Sequence, residues 1–130
     1  MLDKLSMEQI EGILNALPME FMFVDENEIL RYLNKGEKRK LKIPAGVLGK
    51  DIRTCHKKET LERFERLVSD LKSGNKDEEV FWMDYNGKIL NRFIAVKGKD
   101  GKYLGMIEYV LNFKSQERYA EEKKDAYKQK

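Results

Sequence analysis

"EEVFWMDYNGKILNRFIAVKGKDGKYLGMIEYVLNF", residues 78–113, decides how this chain folds. It reads as three strands, 78–85, 89–96 and 103–113, rich in aromatic and β-branched residues and joined at Asn86-Gly87 and around Asp100-Gly101. Both dipeptides accept the positive backbone angles of tight hairpin turns, so the stretch predicts an antiparallel β-meander. In its last strand Tyr103, Ile107, Tyr109, Leu111 and Phe113 alternate with Leu104, Met106, Glu108, Val110 and Asn112. A period of two puts large apolar groups on both faces, and both faces then need covers.

The covers lie upstream. "KKETLERFERLVSDLKSG", residues 57–74, repeats Leu61, Phe64, Leu67, Val68 and Leu71 at three- and four-residue spacing, with a charged opposite face and Gly74 as a C-terminal stop. "LSMEQIEGILNALP", residues 5–18, is a short amphipathic helix. Ser6 and Gln9 make its capping pattern, Ile10, Ile13, Leu14 and Leu17 its stripe, and Pro18 its end. Between the two, "EFMFVD" and "EILRYLN" form a hairpin split by Asp25, Glu26 and Asn27. In its first strand Met22 and Val24 share one face and Phe21 and Phe23 the other; one pair lines the interior, and alternation alone does not choose it. "KGEKRKLK", residues 35–42, has no interleaved aromatic residue and reads as a solvated basic face. Residues 115–130 contain good helix formers and a weak stripe, and read as a helix leaving the domain.

At 130 residues, with 41% hydrophobic and 38% charged residues, the chain holds one core. The helical, sheet-forming and helical parts divide as an N-terminal helix at 1–17, a domain at 18–113 and an exit helix at 114–130. A net charge of +3, from 26 basic and 23 acidic residues, lacks the concentrated excess of a nucleic-acid binder. Cys55 is the only cysteine and cannot close an internal disulfide, and no signal pattern opens the chain, so a cytoplasmic location is expected. No apolar run has the length to span a membrane.

The order of elements, with several local stretches, resembles a PAS domain. "ALPMEFMFVDENEILRYLNKGEKR" is similar to the opening of such a domain, "GVLGKDIRTCH" to the segment before its long helix, and "NGKILNRFIAVKGKDGKYLGMIEYVLNF" to its closing meander. The Cys55-His56 pair and "EEVFWMDYNGK" further resemble the PAS domains that follow hemerythrin-like modules in some bacterial and archaeal proteins; that subgroup usually reads Cys-His-Pro, and here Lys57 stands in place of the proline. The resemblance implies an α+β fold: a five-stranded antiparallel sheet with helices on one face, plus N-terminal and C-terminal flanking helices. It also implies sensing rather than catalysis, with a small-molecule ligand held inside, signalling through the flanking helices, a homodimer, and a sensor or effector domain in a longer protein or in trans.

Residue by residue, the candidate ligand-binding set is Met22, Val24, Cys55, His56, Phe64, Trp82, Glu108 and Val110. His56, the only histidine, precedes the long helix near the region from which PAS haem sensors draw an axial ligand, so haem through His56 is one alternative; a helix-leading histidine satisfied by backbone or water is the other. Cys55 reads either as a thiol activated by the following helix and by Arg53, Lys57 and Lys58, or as a structural cysteine. The Asn and Gln of the flavin-adduct motif are missing, so flavin photochemistry is not expected. Trp82 would give the pocket an apolar wall with one donor. Glu108 shares a face with Met106 and Val110: inward it presents a carboxylate to a ligand, and outward it is merely solvated. One histidine and one cysteine support no catalytic constellation and no zinc site without carboxylates. An interaction module with a filled core and no ligand is the remaining reading.

Overall fold

A computed structural model describes residues 1–44, 46–84 and 88–128. Its elements are α1 (Met7–Ala16), β1 (Glu20–Asp25), β2 (Leu30–Leu33), α2 (Lys58–Ser73), β3 (Glu78–Asp84), β4 (Lys88–Lys97), β5 (Tyr103–Asn112) and α3 (Phe113–Lys128), with short 3-10 turns at Leu2–Lys4, Gly36–Lys38 and Ile52–Cys55. The strands form one antiparallel sheet in the order β2-β1-β5-β4-β3. The meander is therefore present as read, and its last strand also receives the first hairpin. The expected Asn86-Gly87 turn lies outside the described residues.

Register fixes the faces. Glu108 sits opposite Met22 on β1 and Phe93 on β4, and Met106 opposite Val24 and Ala95. These six side chains share the inner face. Against it α2 lays Phe64, Leu67, Val68 and Leu71, which close one core with Val24, Leu30, Ile52, Phe93 and Met106. Gly74, in the left-handed conformation at φ 83°, ends that helix as anticipated. β1 and β5 approach so closely that a Cβ on Gly105 would stand 2.2 Å from the Val24 carbonyl oxygen; at φ 148° the position accepts glycine alone.

The capping box of α1 forms as its sequence indicates: the Ser6 hydroxyl accepts from the Gln9 N–H, and the Gln9 side chain accepts from the Ser6 N–H. Its apolar stripe, however, is only partly covered: Ile10 and Leu14 are half-buried. No residue of α1 is buried, and Ile13 is 52% exposed. The chain leaves the helix extended at Leu17, and the helix is tethered by its last turn instead: Asn34 Nδ2 donates to the Leu14 carbonyl, and Asn15 Oδ1 accepts from the Lys35 N–H. No helix among the described residues is long and apolar enough to cross a membrane.

Candidate functional site

Glu108 stands mid-strand on the inner face, so the inward alternative holds. Removal of water raises its pKa above the ordinary 4.5, while a hydrogen bond from the Asn91 side chain and the attraction of His56 and Arg39 pull in the opposite direction. Asn91 lies opposite Val110, one step along the same face, and its side-chain oxygen is buried with no hydrogen-bond partner among the described residues. A carboxylate and an amide oxygen, both acceptors, thus stand together on an otherwise apolar wall.

His56 reaches this wall from the other side. Asp51 caps the Ile52–Cys55 turn by accepting from the Arg53 N–H and pairs with the Arg53 guanidinium at 2.5 Å, while Ile52 anchors the turn in the core. The turn brings His56 Nδ1 to 3.0 Å from the Ile52 carbonyl oxygen. A carbonyl only accepts, so Nδ1 carries a proton and Nε2 is the ring nitrogen left without that partner. The imidazole stacks on Phe64, with ring centres 4.3 Å apart and 24° between planes. Cys55 does not share this environment: it is exposed, and its Sγ touches only Thr54 Oγ1 at 4.0 Å. Consecutive residues in a tight turn diverge, and the pair splits into one inward and one outward member.

Trp82 is the clearest correction. It pairs with Leu90, which pairs with Leu111, whereas Glu108 pairs with Phe93; the odd offset between Leu90 and Phe93 puts Trp82 on the outer face. There it is 60% exposed and packs on Phe113 at 5.4 Å. Of the alternatives left open on β1, Met22 and Val24 face inward; Val24, 1% exposed, is core filling beneath the site. Val110 lines a separate groove of about 860 Å³ between the 35–41 loop and the first turn of α3. Phe64 lines another, of about 610 Å³, along α2 with Glu28, Arg53 and Lys72. His56 and Glu108 line neither groove. No cluster of three metal-ligating side chains occurs among the described residues.

The basic run contains a residue that its composition conceals. Arg39 is buried: its guanidinium donates to the carbonyls of Phe21, Asn34 and Leu41 and to Asn34 Oδ1 at 3.0–3.2 Å. Asn34, wholly buried, donates in turn to the Leu14 and Met19 carbonyls and accepts from the Phe21 N–H. Positive φ at Lys35 and Gly36 turns the chain back so that Arg39 folds over Asn34. The Asn-Lys-Gly sequence at 34–36 was the available signal for that reversal. Arg39 therefore ties β1 to Asn34, which in turn holds the last turn of α1.

Comparison with known proteins agrees with this architecture. A family model described as PAS domain matches residues 10–114. The C-terminal domain of a Streptococcus mutans protein is 26% identical and superposes with a TM-score of 0.80, over 88% of this chain and 90% of that one. The PAS domain of Bordetella pertussis BvgS is 13% identical with a TM-score of 0.60, over 92% of this chain and 96% of that one. A structure of VqmA, a Vibrio cholerae protein, bound to DPO is 18% identical with a TM-score of 0.55, over 82% of this chain and 57% of that one. No functionally curated protein matches the sequence.

Proposed function

The chain belongs to the PAS domain family, and from that premise we propose that it is a sensory domain whose inner sheet face, around Glu108, takes a small ligand and whose flanking helices carry the signal. The observation that carries the reading is the pair of acceptors, Glu108 and the unpartnered Asn91 oxygen, held on an apolar wall. Two acceptors side by side fit a ligand with N–H or O–H donors, because a buried acceptor left unpaired costs about 1–3 kcal/mol and a donor removes that cost. The route outward runs from Glu108 to Arg39, then to Asn34, then to the Leu14 carbonyl of α1. Ile13 and Leu17, exposed on that helix, are the surface through which we expect two copies to pair. VqmA bound to DPO supports the capacity of this fold to hold a ligand, and the subgroup that follows hemerythrin-like modules is the kinship suggested by Cys55-His56. A sensor or effector domain, in the same polypeptide or in trans, is the partner.

A second reading has its own observation. Val24, Leu30, Leu71 and Met106 are almost wholly buried and fill the core beneath the site, which suits an interaction module without a ligand. Native mass spectrometry of the purified chain separates the two. The sensory reading expects a mass above the polypeptide that Glu108→Gln lowers to the bare value. A bare mass for wild type favours the interaction module. Haem is the least supported ligand, and a stoichiometric Soret band on haem addition, abolished by His56→Ala, would restore it.

A further inference from the structure

We propose that the groove between the 35–41 loop and the start of α3 is a binding site for an amphipathic carboxylate, a molecule with one anionic head and an unbranched apolar body. Its lining includes Val110 from the sheet face of Glu108 but none of Glu108, Asn91 and His56. Two chemistries meet in it. Lys35, Lys38 and Lys40 stand along the loop side, and Met19, Ile89 and Val110 supply apolar wall. Its volume of about 860 Å³ falls in the range of small-molecule sites, and it is an open groove rather than an enclosed cavity.

The lysines are presented by a fixed loop. Arg39, buried between them, holds the loop to the carbonyls of Phe21, Asn34 and Leu41. The Lys35 N–H donates to Asn15 Oδ1 at 2.7 Å. Two acids stand among the three lysines of the lining: Glu20 directs its carboxylate to the N–H groups of Lys40 and Leu41, and Glu37 makes no ion pair among the described residues, so the rim keeps an excess of positive charge. No ion pair among the described residues takes up any of the three ammonium groups. An anion entering the rim therefore meets charge-assisted donors already in place, and an apolar chain below the head removes Ile89 and Val110 from water. Charge complementarity selects the head, and the apolar wall selects the body.

The test uses the full chain and decanoate below its micelle concentration, by isothermal titration at low salt, with decanol as the uncharged probe of equal length. We expect saturable one-to-one binding of decanoate and at least about tenfold weaker binding of decanol. Lys38→Gln with Lys40→Gln, both exposed positions, should weaken decanoate by about tenfold while leaving the thermal unfolding curve unchanged, whereas Lys99→Gln with Lys102→Gln, on the β4-β5 turn, should change neither. Absence of saturation up to about 1 mM overturns the proposal, as does decanol binding equal to decanoate or full affinity in the Lys38/Lys40 variant. Those failures leave the Glu108 reading standing, because native mass and Glu108→Gln test it independently.

Discussion

The two faces of the sheet are made of similar residues and have different surroundings. The inner face carries Met22, Val24, Phe93 and Met106 and is closed by α2, which strips water from Glu108 and leaves the Asn91 oxygen buried. The outer face carries Phe21, Tyr32, Tyr109 and Trp82, with Arg92 donating to the Tyr109 hydroxyl at 2.8 Å, and α1, none of whose residues is fully buried, meets it at Tyr32, whose hydroxyl donates to Asn15 Oδ1 at 3.5 Å. A polar group on the inner face becomes chemistry, since low dielectric strengthens each interaction it makes. On the outer face a tryptophan is surface. Composition did not make the difference; the position of one helix did.

The largest expected contrast is in stability. Phe64→Ala should cost about 3–5 kcal/mol in reversible urea unfolding, because it opens a cavity between α2 and the sheet and removes the ring on which His56 stacks. Trp82→Ala, on the exposed face, should cost less than about 1 kcal/mol. Equal costs would mean that the faces are not distinguished as described. Next comes Arg39→Ala, expected to cost about 2–3 kcal/mol by leaving the carbonyls of Phe21, Asn34 and Leu41 without their donor. A loss near zero would assign Arg39 to the solvated run after all.

A smaller and oppositely signed effect is expected from Glu108→Gln. A carboxyl whose pKa rises on folding binds its proton more tightly in the folded state, so its contribution is full below pH 4.5 and is lost as pH climbs through the raised value. Wild type should lose stability relative to Glu108→Gln across that interval, and the glutamine variant should be the more stable at pH 7. Parallel stability curves would place Glu108 in water. The smallest effect on the single chain concerns Ile13→Asp: exposed on α1, it should shift stability by less than about 0.5 kcal/mol yet convert a dimer to monomer in sedimentation. A wild-type monomer at high concentration would remove the pairing surface.

Strands, caps and the long helix were legible because each has a local cause: alternation in β5, the Ser6-Gln9 box, and the spacing of Phe64, Leu67 and Leu71. The site was less so. Alternation states that Met22 and Phe21 oppose each other but not which is inside; that is settled by where α2 returns. Trp82 was misplaced for this reason, since its type suggests core and only the Leu90 register shows the outer face. Glu108 was visible as a carboxylate between Met106 and Val110. Arg39 was not, because its neighbours in sequence are solvated lysines and its partners are backbone carbonyls that come together only in the fold.

We propose that the inner face around Glu108 communicates with α1 through Arg39 and Asn34. Hydrogen exchange resolved at single amides tests it most directly, at Phe21, whose N–H donates to Asn34 Oδ1, and at Lys35, whose N–H donates to Asn15 Oδ1. Glu108→Gln should change exchange at both amides by about threefold or more, a shift in local opening free energy, while Trp82→Ala should change neither. Unaltered exchange at Phe21 and Lys35 in Glu108→Gln, or an equal response to Trp82→Ala, would contradict it.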